Sequence, residues 1–514
     1  MTSCGLLGCK HNRRRNGLID PLRYCAIAAT IMLPIATVAQ VIELGKPAPP
    51  LPDAIVDAES PEQERSPTAG AAAGAILTPA AKPQGGSALE ATFKSAAQPT
   101  IALESFWIEA GVLTEDHGRA QTSNYVRSDV AAEWVLNSHW SVRLAGRLDG
   151  TLQTGVEDFN RLELESGTSY LRYRDQNRRI TLGPQIVSWG RVDETPPTDR
   201  LSAQDISRLL LDDLENRRRA VLTVRWEEFI GDFKLDLQYV PRFRPAEMPR
   251  FDSIWSPVDK DSGELLGMPY NPLIAPLIRS GSFDEDAGGV GGWGLRLSRP
   301  GRGFDYALTV QEARQSLPYF VLDSQVRAAL LANPQDADGA LNAAPDTFIA
   351  RYPRTWVVGG DLGLATEQAT WRFEAAWLSD QPATTADLRY ITLAAFDWVA
   401  GVELYPGDRE LRLNLQLGGS QLLDAPAGLI DRRKTLNLFG DLEGSFARDR
   451  WRVRLRFFAG LDERDRYLNP QLAFVGWEPH ELYVAYHAFD GAEQTLGGFY
   501  QHNDLITFGW RARF

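Results

Sequence analysis

The 514-residue chain is 44% hydrophobic and has a mean hydropathy of −0.27. Its formal net charge of −13 argues against a nucleic-acid partner, because phosphate backbones are bound by basic surfaces. The only cysteines are Cys4, Cys9 and Cys25. If an N-terminal leader containing them is removed, disulfides, cysteine–zinc sites and thiolate catalysis are excluded from the mature protein.

The N-terminus has the pattern of a secretory signal peptide. Three consecutive arginines and Arg23 precede an apolar run over residues 25–38, which ends in a small-residue cleavage site. The run is too short to cross a bilayer comfortably as a helix, and it contains Pro34. We therefore predict a cleaved signal peptide over residues 1–39.

Residues 40–100 differ in composition from the rest of the chain. They are rich in proline, alanine, glycine, serine and glutamate and poor in aromatic residues, so they cannot bury enough apolar surface to fold alone. We predict a disordered periplasmic linker. Recruitment of a periplasmic partner by residues 40–100 stays open as an alternative.

From residue 101 onward, apolar and polar residues alternate in segments separated by turn residues. Clear examples are residues 141–152, 410–417 and 451–461, where leucine, valine or aromatic residues face one side and arginines the other. Transmembrane β-barrels have this pattern, because only every second residue of a strand meets lipid. After residue 39, no stretch is long and apolar enough to span a bilayer as a helix.

Short polar turns alternate with longer loops along this region. We count eight turns and nine loops, of which residues 191–216, 244–290 and 315–351 are the longest loops. Seventeen connections join 18 strands. A barrel of 16 strands is the alternative if one of the hairpins does not form. The sequence thus predicts an all-β fold, a transmembrane antiparallel β-barrel of about 18 strands over residues 101–514.

The chain ends in a strand pattern over residues 505–514. Its apolar face includes Phe508, Trp510 and the terminal Phe514, and its other face carries Arg511 and Arg513. This end resembles the closing strand of bacterial outer-membrane β-barrels, in which the terminal aromatic residue is the assembly signal. The resemblance implies location in the bacterial outer membrane, contact with its lipid, and recognition of the C-terminal strand by the barrel-assembly machinery.

The most distinctive stretch is residues 182–219, where a strand runs into a long loop. One strand register points the side chains of Gln185 and Trp189 into the lumen, and an apolar stripe over residues 203–214 predicts an amphipathic helix. We therefore predict that the loop folds inward as a constriction. Its candidate residues are Gln185, Trp189, Arg191, Asp193, Asp199, Asp205 and Arg217.

The motif Ser188-Trp189-Gly190-Arg191-Val192-Asp193, followed by Thr198-Asp199-Arg200-Leu201 and residues 211–217, resembles a signature in a largely uncharacterised group of proteobacterial outer-membrane barrels. These are porin-like proteins, similar in plan to alginate-export and OprD-type barrels. The resemblance implies passage of a solute or a secreted molecule without identifying it. As an alternative, Asp199, Asp205, Asp212 and Arg217 only pin the loop through ion pairs.

The lumen is predicted to be basic although the whole chain is acidic. The strand alternation places eleven basic and five acidic residues on the inner face: Arg143, Arg147, Arg225, Lys234, Arg372, Arg412, Arg452, Arg454, Arg456, Arg511 and Arg513, with Asp149, Asp236, Glu374, Asp441 and Glu443. Arginine rings in a water-filled pore favour anions. We predict a conduit for anionic small molecules or an acidic polymer, with a structural arginine–carboxylate ladder as the open alternative.

Two other function classes are a barrel hydrolase and a scaffold or lipid-handling barrel. A barrel hydrolase would need a nucleophile beside a histidine, and no Gly-x-Ser-x-Gly motif lies near His480 or His487. We therefore predict no enzymatic activity, no metal site and no cofactor. A scaffold or lipid-handling barrel remains the alternative, with the loops at 244–290 and 315–351 as its binding surfaces.

Overall fold

The computed structural model describes residues 98–514, apart from residues 116–117, 157, 302 and 408–410. The predicted signal peptide and residues 40–97 of the predicted linker lie outside the described residues. The first strand begins at Thr100, next to the predicted start of the barrel.

Eighteen strands form the wall, and each pairs antiparallel with the next along the chain. They are β1 Thr100–Leu113, β2 Ala120–Val135, β3 Trp140–Gly155, β4 Phe159–Ser166 and Tyr170–Arg174, β5 Arg178–Gln185, β6 Val221–Ile230, β7 Phe233–Val240, β8 Gly292–Arg299, β9 Phe304–Arg314, β10 Arg354–Ala365, β11 Ala369–Thr384, β12 Tyr390–Leu404, β13 Leu411–Leu422, β14 Lys434–Phe446, β15 Trp451–Gly460, β16 Asp465–Trp477, β17 His480–Gly491 and β18 Leu505–Arg513. Strand β18 also pairs with β1, which closes the barrel. The prediction of an 18-strand antiparallel barrel is confirmed.

The outer surface of the wall is an apolar belt. Trp371 and Phe373 on β11 and Phe508 on β18 are exposed, whereas their inward-facing neighbours Glu374 and Thr507 are buried. Lipid offers no hydrogen-bond partners, so a spanning sheet must pair every strand on both sides and close on itself. The molecule is a transmembrane β-barrel of the bacterial outer-membrane type.

The shorter elements lie in the connections. Helices cover Leu214–Arg217, Ala275–Ser280, Ser324–Ala332, Ala337–Leu341 and Leu496–Phe499, and a 3₁₀ turn covers Leu209–Leu211. Short strands cover Ala203–Gln204, Arg218–Arg219, Val258–Asp259, Glu264–Leu265, Phe283–Asp284, Tyr319–Leu322 and Phe348–Arg351. Within the described residues, no helix is both long enough and apolar enough to cross a membrane.

Two long loops pack together outside the wall, on the side opposite the short turns. Residues 241–291 and 315–353 share a small three-stranded sheet. They also share an apolar core in which Val258, Leu277 and Val326 are fully buried. Because this unit has its own core, it is a folded layer, which we call the cap.

The wall is irregular where β4 meets β5. Strand β5 ends at Gln185, so the first half of β4 pairs only with β3 in the described structure. Leu162 and Leu164 on that half are 70% and 80% exposed, because no strand flanks them on the other side. The wall therefore lacks strand pairing on one side of β4, next to the point where the chain leaves the wall.

The belt gives a test of membrane placement. Leu308 lies on the outer face of β9 and is 62% exposed. Leu308→Arg is expected to lower the free energy of unfolding in lipid vesicles by roughly 2–4 kcal/mol, since a charge there meets hydrocarbon. Leu331→Arg in the cap, where the side chain is 47% exposed, is the control and should have little effect. Equal urea midpoints for the two variants would contradict a lipid-facing β9.

Candidate functional site

The connection between β5 and β6 leaves the wall and folds into the barrel interior. Gly183 has a φ of 139°, and a Cβ there would lie 2.3 Å from the Ser169 carbonyl oxygen, so the close strand approach requires glycine. The Gln185 side chain is buried and donates from Nε2 to the Thr223 carbonyl at 3.1 Å. This bond fixes the point at which the chain leaves the wall. We call residues 186–220 the crossing segment.

Trp189 packs against the inner face of the wall. Its Nε1 donates to Asp236 Oδ2 at 3.2 Å, and Asp236 also accepts from Arg225 at 2.6 Å. The indole lies over Gly294 of β8, where an added Cβ would come within 2.6 Å of the ring. Trp189 is therefore inside the barrel, in a slot that a glycine opens, and it anchors the start of the crossing segment.

Glu374 on β11 fixes the next part of the segment to the wall. This buried carboxylate accepts from the Arg191 backbone N–H at 2.9 Å and from both the N–H and the hydroxyl of Thr198 at 2.8 Å. The Arg191 guanidinium forms ion pairs with Asp305 and Asp361. Carboxylates of the wall therefore hold both the backbone and the side chain of Arg191.

A neighbouring contact set involves Asp193. Its Oδ2 accepts from Asn414 at 2.5 Å and from Gln416 at 2.7 Å, and Arg372 lies 3.1 Å away. Arg200, a little further along, pairs with Asp397 at 2.5 Å. These partners belong to β11, β12 and β13, so the segment reaches a broad part of the wall.

Arg208 makes the deepest contact of the segment. Its guanidinium pairs with Glu109 of β1 and with Asp212 at 2.7 Å, and all three side chains are buried. It also stacks over the rings of Tyr125, at 3.8 Å, and Trp107, at 4.9 Å. A buried charge is tolerated only when it is paired and hydrogen-bonded in this way.

Asp213 fastens the segment to β15. Arg454 lies 3.1 Å and Arg456 3.0 Å from its carboxylate. Burial raises the pKa of Asp213, but the two guanidiniums outweigh burial and hold this pKa far below its usual range. The carboxylate therefore stays ionised, and the contact persists, in mildly acidic solution.

The remaining predicted constriction residues contact the segment itself. Arg218 pairs with Asp199 at 3.0 Å, and Arg217 pairs with Glu194 at 3.2 Å. Asp205 accepts from the Ser207 N–H at 2.9 Å. The first two contacts match the alternative that these residues pin the loop through ion pairs, whereas Asp205 shapes a local turn.

The predicted amphipathic helix over residues 203–214 is wrong. The stretch is instead a short strand, a 3₁₀ turn and a helix that begins only at Leu214. The backbone N–H of Asp205 donates to the Arg217 carbonyl at 2.6 Å, and that of Ile206 donates to the Glu247 carbonyl at 2.9 Å. Tertiary hydrogen bonds thus replace the helical ones, and Leu209, Leu210 and Leu211 pack into one apolar cluster with Trp255 and Tyr500.

The crossing segment therefore touches opposite sides of the barrel. Arg191, Asp193 and Arg200 contact β9 to β13, whereas Arg208 and Asp213 contact β1 and β15. The sequence motif included most of these residues, but it did not include Arg208 or the wall acids Glu109 and Asp361. The available signal for those acids was an ionisable residue on the inner face of an alternating strand.

Most of the predicted lumen cations are neutralised. Nine of the eleven lie within 4.0 Å of a carboxylate: Arg143 with Glu104, Arg147 with Asp129, Arg225 with Asp236, Lys234 with Glu227, Arg372 with Glu403, Arg412 with Asp441, Arg452 with Glu481, Arg454 with Asp441 and Arg456 with Asp213. Among the described residues, Arg511 and Arg513 have no carboxylate within that distance. Arg511 instead stacks on Trp107 and Tyr483 at 4.1 and 4.4 Å.

One carboxylate cluster has the spacing of a metal site. Oxygens of Glu163, Glu165 and Glu247 lie within 4.8 Å of one another. Arg161, Arg219 and Arg244 form ion pairs with these same carboxylates. Three guanidiniums already compensate the three negative charges, so the cluster is a salt-bridge network that joins β4 to the crossing segment and the cap.

The two strand histidines occupy different surroundings. His487 is buried, and its Nδ1 lies 2.8 Å from the Tyr467 hydroxyl. His480 lies among the rings of Trp477, Trp510 and Phe514 near the short turns. Neither arrangement brings a serine hydroxyl to the histidine within the described chain, as a hydrolase triad would require.

No protein-family model matches the chain, and no curated protein matches it. Similar solved structures include OccAB3 of Acinetobacter baumannii (8% identity, TM-score 0.46, covering 81% of this chain and 99% of that one). They also include OpdL of Pseudomonas aeruginosa (9%, 0.42, 81% and 98%) and OmpF of Salmonella typhi (10%, 0.40, 80% and 97%). At such identities and TM-scores, neither the family nor the solute follows from the likeness.

Proposed function

We propose that the protein is a porin-like outer-membrane channel whose passage is narrowed by the crossing segment. The observation that carries this proposal is the attachment of residues 186–220 to opposite sides of the wall. An 18-strand wall by itself encloses an aqueous channel, so an internal segment is needed to make it selective. Anchors that are almost all polar fit a water-filled lumen better than a dry core.

The proposed solute is a small anion. Arg511 and Arg513 lie on the inner face of β18 near the short turns, and among the described residues neither has a carboxylate within 4.0 Å. The paired arginines brace the wall, as the ladder alternative holds, and they add little net field. An acidic polymer fits less well, because a chain could pass only after the crossing segment had moved aside.

Ion selectivity tests the proposed solute class. In a planar bilayer with a salt gradient, the reversal potential is expected to show preference for the anion. Arg511→Gln combined with Arg513→Gln should move this potential toward that of an unselective pore. Arg178→Gln, at an exposed pair with Glu228 on the wall, is the matched control and should leave it unchanged. Cation preference in the wild-type protein would contradict the proposal.

A further inference from the structure

A cavity of 220 Å³ lies between the cap and the loops that follow β11 and β13. Its lining is largely apolar and includes Met248, Leu265, Met268, Phe320 and Phe348. An apolar cavity of about 150 Å³ holds a benzene ring. The space therefore fits a ligand body slightly larger than one ring.

One side of this cavity carries a carboxylate, that of Asp431. The Tyr319 hydroxyl lies 2.9 Å from both oxygens of Asp431, and the Thr384 N–H donates to Oδ2 at 2.6 Å. Because Tyr319 gives its only proton to the carboxylate, the Thr384 hydroxyl, 2.7 Å away, must donate to Tyr319. Two protons occupy a group with about four lone-pair sites, so Asp431 can accept further hydrogen bonds.

The charge of Asp431 has no cationic partner within 4.0 Å in the described part of the chain. The adjacent arginines are directed elsewhere: Arg432 pairs with Asp462 at 2.7 Å, and Arg433 donates to the Pro426 carbonyl at 2.7 Å. Placing a carboxylate beside apolar side chains costs free energy unless a positive charge compensates it. This arrangement is complementary to a cationic group.

Tyr319 supports the same ligand chemistry. Burial, with Asp431 close by, raises the pKa of Tyr319, so its hydroxyl stays neutral and keeps donating to Asp431. The Tyr319 side chain is part of the cavity lining. Tyrosine rings attract cations through their faces.

We propose that the cap cavity binds a small amphiphile that carries a protonated amine on an apolar body about one ring in size. The ammonium group pairs with Asp431, and the apolar body packs against Met268, Phe320 and Phe348. This site lies between the cap and the loops that follow β11 and β13, and the proposal holds whether or not the lumen conducts. The cationic ligand is also distinct from the anion proposed to pass through the barrel.

Isothermal titration of the detergent-solubilised full-length protein with phenethylamine tests the proposal. Saturable binding is expected in the wild-type protein, and Asp431→Asn, which keeps the shape of the side chain, should weaken it at least roughly tenfold. Leu265→Trp fills the cavity and retains the carboxylate, so it should abolish binding of phenethylamine. Asp424→Asn on the same loop is the control and should bind as the wild type does.

Matched probes separate the contributions of charge and apolar contact. 3-Phenylpropionate has a similar body with a negative charge and should not bind. The proposal is overturned if the wild type shows no saturable binding of phenethylamine, if Asp431→Asn binds it equally well, or if both probes bind alike. Circular dichroism of each variant verifies that the barrel is folded, and unchanged limited proteolysis of residues 241–291 verifies the cap, so a lost signal reports the site.

Discussion

Deleting residues 194–214 is expected to raise single-channel conductance at least about threefold, because an 18-strand wall encloses an aqueous channel once its interior is cleared. The deletion removes Arg208 and Asp213, which hold the segment to β1 and β15. It keeps Trp189 and Arg191, so the start of the segment remains fixed to the wall. The measurement is single-channel recording in a planar bilayer.

A point substitution gives an independent test of the same idea. Glu374→Gln replaces one acceptor oxygen with an amide nitrogen, so one of the donors from Arg191 or Thr198 loses its partner. We expect more frequent opening to a larger conductance level with an unchanged barrel. Deletion and substitution variants that both conduct like the wild type would show that the crossing segment does not limit passage. A plugged barrel would show no conductance with or without the segment.

The second large effect is expected for Arg208→Met. This substitution leaves Glu109 and Asp212 buried without their cation, which costs about 3–5 kcal/mol for a buried pair. Urea unfolding in lipid vesicles should show the loss, and limited proteolysis should cut near residues 205–215 sooner than in the wild type. The double variant Arg208→Met with Glu109→Gln should recover part of the loss, since one uncompensated charge is removed.

Arg178→Met is the control for Arg208→Met. Arg178 pairs with Glu228 at 2.7 Å on the exposed surface, where water screens the charges, so its loss should change the unfolding midpoint little. If Arg208→Met and Arg178→Met have the same midpoint, Arg208 does not fasten the segment. If proteolysis is unchanged while the midpoint falls, the pair stabilises the wall and not the segment.

The cap was only partly foreseeable. Its two loops were predicted from their length and turn residues, but their packing into one core joins Val258 and Val326 across two wall strands. Asp431 and Tyr319, which lie 112 residues apart, meet only because these loops and the loop after β13 converge. No local pattern reports such a meeting.

The wall was determined by the sequence itself. Each strand lies between lipid and the barrel interior, so the side chains alternate and the pattern can be read within about ten residues. The same alternation assigned Arg454 and Glu374 to the inner face, but it could not name their partners. Arg454 meets Asp213 from 241 residues away, and Glu374 meets Thr198 from 176 residues away.

The path of the crossing segment was decided only by the tertiary structure. Its leucines at helical spacing favoured a helix. Instead, its backbone N–H groups donate to the carbonyls of Arg217 and Glu247, and its charged side chains pair with residues of the wall. Local propensity is weak, and tertiary contacts override it when buried charges must be paired. The sequence therefore determined the barrel, whereas the pairing of distant charges decided how its interior is filled.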